Sequence, residues 1–208
     1  MAQATRSSSS RDLALVAVFA GLMAALGLLP PLAIPISPVP ITAQSLGVML
    51  AGSIIGAKRG GGALLLFLVL VALGLPLLAG GRGGLGSFMG PSVGFLLGWI
   101  VCAWFIGLLT ERAGAPYSVV KGLVINILGG IVLLYVFGIA GMMLRTQMSL
   151  KAALLGNVPY LVGDAVKVVI ATLVAAGVHR AYPGLLRNRR PRPEGIVDAH
   201  STEREMAR

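Results

Sequence analysis

Between residues 13 and 178 the chain is a succession of apolar runs, most of them long enough to cross a bilayer, joined by short connections. A hydrocarbon core of about 30 Å takes roughly 20 apolar residues in helical form. Six runs meet or approach that length: 13–29, 42–57, 61–79, 91–110, 119–142 and 152–178. The second is short and is expected to be tilted or set at its ends by the protein. The reading is an all-α, polytopic membrane protein of about six transmembrane helices. They form one membrane domain over 13–180, between a polar N-terminus (1–12), expected to be mobile, and a basic, mixed-charge tail (181–208).

Composition agrees. Only 12% of residues are charged and 56% are hydrophobic, where a soluble domain is near a quarter charged. Mean hydropathy is +0.89. The net charge of +10 does not indicate a nucleic-acid partner. Much of it is Arg187, Arg189, Arg190 and Arg192 in the tail, which reads as a cytoplasmic topology signal with affinity for anionic lipid. Arg6 and Arg11 precede a first run that reaches Pro30 without a good cleavage site, so this run is expected to be a retained span rather than a signal peptide. With both termini cytoplasmic, Lys58, Arg59 and Arg112 fall inside as well. Arg82, Arg145 and Lys151 remain outside, together with a proline loop (30–40) and a glycine loop (80–86). Cys102 is single, so no intrachain disulfide is possible.

Two ionisable residues stand in mid-run, Asp164 and Lys167. Charge at membrane depth is costly and persists mainly where it faces a protein interior or a polar cavity. At i,i+3 the two project from one side of a helix, and their opposite signs offset each other's desolvation. With Asn157 and Tyr160 they are spaced 3, 4 and 3, which predicts one helical face. The alternative is a structural ion pair that locks helices together. The loop GGRGGLG offers free backbone N–H groups, and Arg82 at its centre suits a carboxylate; alternatively it is a flexible connection. The proline loop, with prolines at 30, 31, 35, 38 and 40, is stiff and uncharged. It either covers an outward-facing cavity or simply ties two spans. Small residues recur at helical spacing at Ala20/Ala24 and Gly21/Ala25 on span one, and at Gly52/Gly56, Gly94/Gly98 and Ala103/Gly107, permitting close helix packing. Most of these are expected to pack internally, with span one the best placed to dock another protein. There is no Walker P-loop, no HExxH and no second intramembrane acid for a protease dyad. No metal site is expected, because His179 and His200 lie at or beyond the last span.

Three blocks carry a family resemblance: PVPITAQSLGVMLAG (38–52), GLPLLAGGRGGLGSFMGPSVGFLLG (74–98) and GDAVK (163–167). In order, and over most of 13–180, the chain resembles the biotin-specific substrate-binding (S) components of energy-coupling factor transporters, the BioY family. The resemblance implies a six-helix protein of a prokaryotic cell membrane with no catalytic activity and no cofactor. It would bind biotin in an outer cavity and work with a membrane coupling subunit and two ABC-type ATPase subunits. It places Asp164 and Lys167 against biotin, together with the polar residue inside the glycine loop. Here this chain departs, with Arg82 where Asn or Ser is more familiar. The implied substrate-binding set is Asp164, Lys167, Arg82, Tyr160, Asn157, Gln44, Gly81 and Gly83. The implied docking face for the coupling subunit is Ala20 and Ala24. Biotin carries a ureido group, an apolar bicycle and a carboxylate. Asp164 can accept the ureido N–H bonds, Lys167 can donate to a ligand oxygen, Tyr160 can line the apolar part, and Arg82 can meet the carboxylate. Two other classes stay open: a self-contained secondary transporter of a small organic acid, and an intramembrane enzyme using Asp164 as base.

Overall fold

The structure, a computed structural model, describes residues 2–185, with side chains from Ser10 onward. The tail arginines at 187, 189, 190 and 192, and His200, lie outside the described residues. The described chain is helical throughout its membrane region: α1 (Ala2–Gly27), α2 (Gln44–Ala72), α3 (Val93–Ala113), α4 (Val119–Ile127), α5 (Leu134–Thr146), α6 (Leu150–Asn157) and α7 (Tyr160–Ala181). A π-helical turn, Leu128–Leu133, joins α4 to α5 into one long helix. Helix α1 begins at Ala2, inside the stretch expected to be a mobile N-terminus.

Five helices among the described residues are long and apolar enough to cross a membrane. One of them, α2, is two arms. At Gly56 φ is +82° and ψ is −177°, a conformation that suits only a residue without Cβ. The chain reverses there. A Cβ on Gly60 would lie 3.1 Å from the Ala51 carbonyl oxygen and 3.3 Å from Gly52 Cα, whereas nine residues of straight helix separate two positions by about 13 Å. The arms are 44–55 and 57–72, and with the other four helices they make six apolar segments. The first arm is about 18 Å long, in line with the short second span.

A reversal exposes helix-end groups that need partners. Ala57 N–H donates to the Glu111 carboxylate of α3 at 2.8 Å. His179 Nε2 lies 2.8 Å from the Ser53 carbonyl oxygen. A carbonyl only accepts, so Nε2 carries the proton. Helix α3 crosses the hairpin where both backbones are bare. A Cβ on Gly52 would meet the Ala103 carbonyl oxygen and Ile106, and one on Gly107 would strike Ala57 and Gly56. Gly94 and Gly98 likewise abut α5 at Phe137 and Gly141. These small-residue faces pack inside the bundle, as expected.

Several expected boundaries move. The second run, expected from residue 42, enters its helix later: α2 starts at Gln44 with Ala43 before it and no side-chain cap. Span three ends at Ala72, because Gly74, at φ +106°, and Pro76 turn the chain out of the helix. Span six is interrupted at Val158 and Pro159, which separate α6 from α7. Ala20 is 4% exposed and belongs to the core with Phe19 and Met23, and Ala24 packs half-buried against it. The pair expected to dock a partner therefore faces inward. The outward small residues of α1 are Ala14, Ala17, Gly21 and Ala25.

Candidate functional site

At one end of the bundle, residues from the proline loop, α2, the glycine loop, α3, α5 and α7 enclose about 590 Å³ of space, part of it open to solvent. The walls are apolar and aromatic, with Phe95, Leu96 and Trp99 of α3, Leu134 of α5 and Leu78 of the segment after α2. The polar groups converge at one corner.

Asp164 forms that corner and is 4% exposed. Its Oδ1 accepts from Lys167 Nζ at 2.9 Å and, more distantly, from Ser45 Oγ at 3.4 Å. Its Oδ2 accepts from the Tyr135 hydroxyl at 2.7 Å. Lys167 also donates to the Thr42 carbonyl at 2.8 Å and to Ser45 Oγ at 2.9 Å. An ammonium has three N–H donors, and all three are engaged. The pair thus binds the start of α2 to α7 as well as facing the cavity. A buried pair of this kind holds only when it is well hydrogen-bonded, and here all three lysine N–H donors and both carboxylate oxygens have partners.

Tyr160 also lines the cavity. Its hydroxyl bonds to the Val39 carbonyl and to Ser37 Oγ, both in the proline loop. A backbone bridge between Leu32 and Ile41, with N–H···O distances of 2.9 Å each way, closes that loop at its base. The loop therefore does more than tie two spans: Val39, Pro40, Ile41 and Thr42 form a wall of the cavity.

Arg82 stands at the mouth. It is exposed, and its Nε donates to the Ala79 carbonyl at 3.2 Å. It lines both the inner cavity and an outer groove that also touches Gly81, Gly83, Ser87 and Pro38. Gly81 and Gly83 thus border the outer groove and not the enclosed cavity. Gln44 is 1% exposed. Its amide nitrogen donates to Met23 and Leu77 carbonyls at 3.1 and 3.0 Å, and its oxygen accepts from Ala79 N–H at 3.0 Å. Gln44 lies in the cavity wall, but its amide is committed to holding the glycine loop against α1 and α2.

Asn157 is not part of the site. The interruption at Pro159 takes it off the face of α7, and its amide donates to the Ala153 carbonyl at 2.8 Å within α6. The sequence reading missed Tyr135, Ser45 and Trp99. Tyr135 follows the π-helical turn, where the extra residue per turn changes which positions of the helix face inward. Nothing in the apolar run 119–142 distinguishes it from a lipid-facing tyrosine. Ser45 had one usable signal: it lies in the block PVPITAQSLG that carries the resemblance.

Comparison with known proteins gives a consistent result. The model of the BioY family matches residues 1–184. A protein named Biotin transporter BioY from Rhizobium etli is 46% identical over 180 residues, covering 84% of this chain and 96% of the relative. One of the same name from Rhodobacter capsulatus is 46% identical over 187 residues, covering 85% of this chain and 97% of the relative. A crystal structure of the S-component for biotin from an ECF-type ABC transporter superposes with a TM-score of 0.80 at 28% identity, over 84% of this chain and 93% of that one.

Proposed function

The chain belongs to the BioY family, and on that premise we propose that it binds biotin as the substrate-specific component of an uptake transporter. The observation that carries the proposal is the enclosed corner in which the GDAVK motif sets Asp164 and Lys167 against an aromatic cavity. The relatives are transporters, and the chain is not an enzyme. Asp164 receives a ureido N–H, Trp99 and Tyr160 cover the bicycle, and the valerate chain runs toward Arg82. Lys167 reaches a ligand oxygen only by releasing one of its three present acceptors. The test is biotin binding to the purified full chain in detergent. No detectable binding by folded protein rejects the proposal.

Arg82 takes the carboxylate in this reading. Arg82→Ala then weakens biotin by about tenfold, the range of a charge-assisted hydrogen bond, and weakens biotin amide much less. Equal losses for the two ligands, measured by calorimetry, reject that role and leave the arginine as part of a cover.

Energy comes from partners in this proposal: a membrane coupling subunit and ABC-type ATPases, assembled in the cytoplasmic or inner membrane of a prokaryote. Lys58, Arg59 and Arg112 mark the end opposite the cavity as cytoplasmic. With Ala20 buried, the surface of α1 left for the coupling subunit is Gly21 and Ala25, where nothing lies within 4 Å of a Cβ built on Gly21. Gly21→Trp is expected to abolish ATP-driven uptake by reconstituted complex while biotin binding by the isolated chain is kept. Ala20→Trp is expected to lower both, since it overfills the core. Full uptake by Gly21→Trp removes this docking face. Gradient-driven uptake by the pure chain would instead favour a self-contained carrier.

A further inference from the structure

The hydrogen-bond arrangement at the Asp164 corner carries more than the presence of an acid. Three side chains beside Asp164 have donor hydrogens: Lys167 with three, Ser45 with one and Tyr135 with one. Lys167 directs its three at Thr42 O, Ser45 Oγ and Asp164 Oδ1. Ser45 directs its hydroxyl at Asp164 Oδ1. Tyr135 directs its hydroxyl at Asp164 Oδ2. Every one of these hydrogens is committed inside the protein. What remains for a ligand is acceptor capacity. A carboxylate has about four lone-pair positions; Oδ1 uses two of its own and Oδ2 uses one. One position is therefore left on Oδ2, beside the lone pairs of the Tyr135 oxygen.

We infer that Tyr135 is a specificity-determining residue that makes this corner select ligand N–H donors and turn away carbonyl oxygens. Its bond fixes the Asp164 carboxylate so that Oδ2 keeps a single open position toward the cavity. By donating to Asp164, the phenol presents only acceptor lone pairs on that side. A carbonyl pointed here meets two oxygens and no hydrogen. A ring N–H meets a charged acceptor already desolvated and held in place. The ligand class is a small cyclic urea or amide entering N–H first. The inference rests on the proposed biotin function and adds the direction in which the ureido group enters. Tyr135 is a positioning residue, acting through Asp164.

Two readouts separate it from a bulk structural role. The first needs no variant: binding of biotin and of analogues methylated at one ureido nitrogen to the wild-type chain. One of the two N-methyl isomers should lose at least a hundredfold, because it leaves a buried charged acceptor unpaired. If both isomers bind as biotin does, the corner does not read N–H and the inference is overturned. The second is a double-mutant cycle on biotin affinity with Tyr135→Phe and Asp164→Asn, which isolates the interaction between the two. Tyr135→Phe alone should weaken biotin about tenfold. In the Asp164→Asn background it should add almost nothing, since the group it positions has already changed. Fully additive losses overturn the positioning role. Unchanged affinity in Tyr135→Phe, with Asp164→Asn still damaging, overturns this inference and leaves the biotin-binding proposal standing. Unchanged affinity in a folded Asp164→Asn protein overturns both.

Discussion

Asp164→Asn lowers biotin affinity by roughly ten- to a hundredfold. The estimate follows from replacing a charged acceptor by a neutral one, worth about 1.5–3 kcal/mol, with each 1.4 kcal/mol a factor of ten. The substitution also puts an amide N–H₂ where the corner otherwise offers only acceptors, and it leaves the Lys167 ammonium without its counter-charge. Lys167→Met acts differently. It removes the bonds to Thr42 and Ser45 that bind α2 to α7, so its larger effect is on thermal stability and its smaller one on affinity. Calorimetry with biotin and thermal unfolding of the two variants check this order. A Lys167→Met protein of normal stability but weaker binding than Asp164→Asn reverses it, and makes the lysine the principal ligand.

Gly107→Val prevents the bundle from forming. A Cβ at 107 would lie 2.6 Å from Ala57 Cα and closer still to the peptide joining Gly56 and Ala57. These are backbone atoms at a reversal and have no rotamer by which to give way. Overpacking among side chains costs about 1–3 kcal/mol; a backbone-on-backbone collision at a helix crossing exceeds that, and α2 with α3 forms the centre of the fold. Monodisperse yield in detergent is the measurement. Gly177→Val is the control, with nothing within 4 Å of its Cβ position on an exposed turn of α7. Equal yields from the two variants would show that α3 does not cross the hairpin at this point.

The parts of the site legible in the sequence were those where membrane physics makes a residue conspicuous. Asp164 and Lys167 stood out because charge in a hydrocarbon-length run needs a reason, and the structure places them in one corner with Tyr160 nearby. Arg82 stood out as the only charge in a glycine loop. Asn157 was misplaced by extending helical spacing through Pro159, where the helix breaks. Ala20 was misjudged because small residues at i,i+4 mark close packing without saying whether the neighbour belongs to the same chain. Gln44 gave no sign that its amide serves the glycine loop, since its partners Met23, Leu77 and Ala79 are all backbone groups. Tyr135 was hidden by a π-helical turn. The six apolar segments were legible from run length, but the tightness of the reversal at Gly56 was not. A glycine before Lys58 and Arg59 reads equally well as an ordinary end of a span.

The helical hairpin has an electrical consequence. Ser45, at the Asp164 corner, and Ser53, near the reversal, are eight residues apart on the first arm, about 12 Å; Asp164 and Thr172 are separated by the same rise on α7. Below this level lies a second polar chain, in which Ser53 donates to Asn126 and Asn126 to Thr172, each at 3.1 Å. Between the two polar levels the packing is made of Val48, Met49, Val168 and Ala171, all buried. A transmembrane voltage falls mostly across the least polarisable layer in its way. The wholly apolar layer between the two polar levels is about two to three helical turns thick, so it takes a larger share of the voltage per ångström than the polar levels on either side of it.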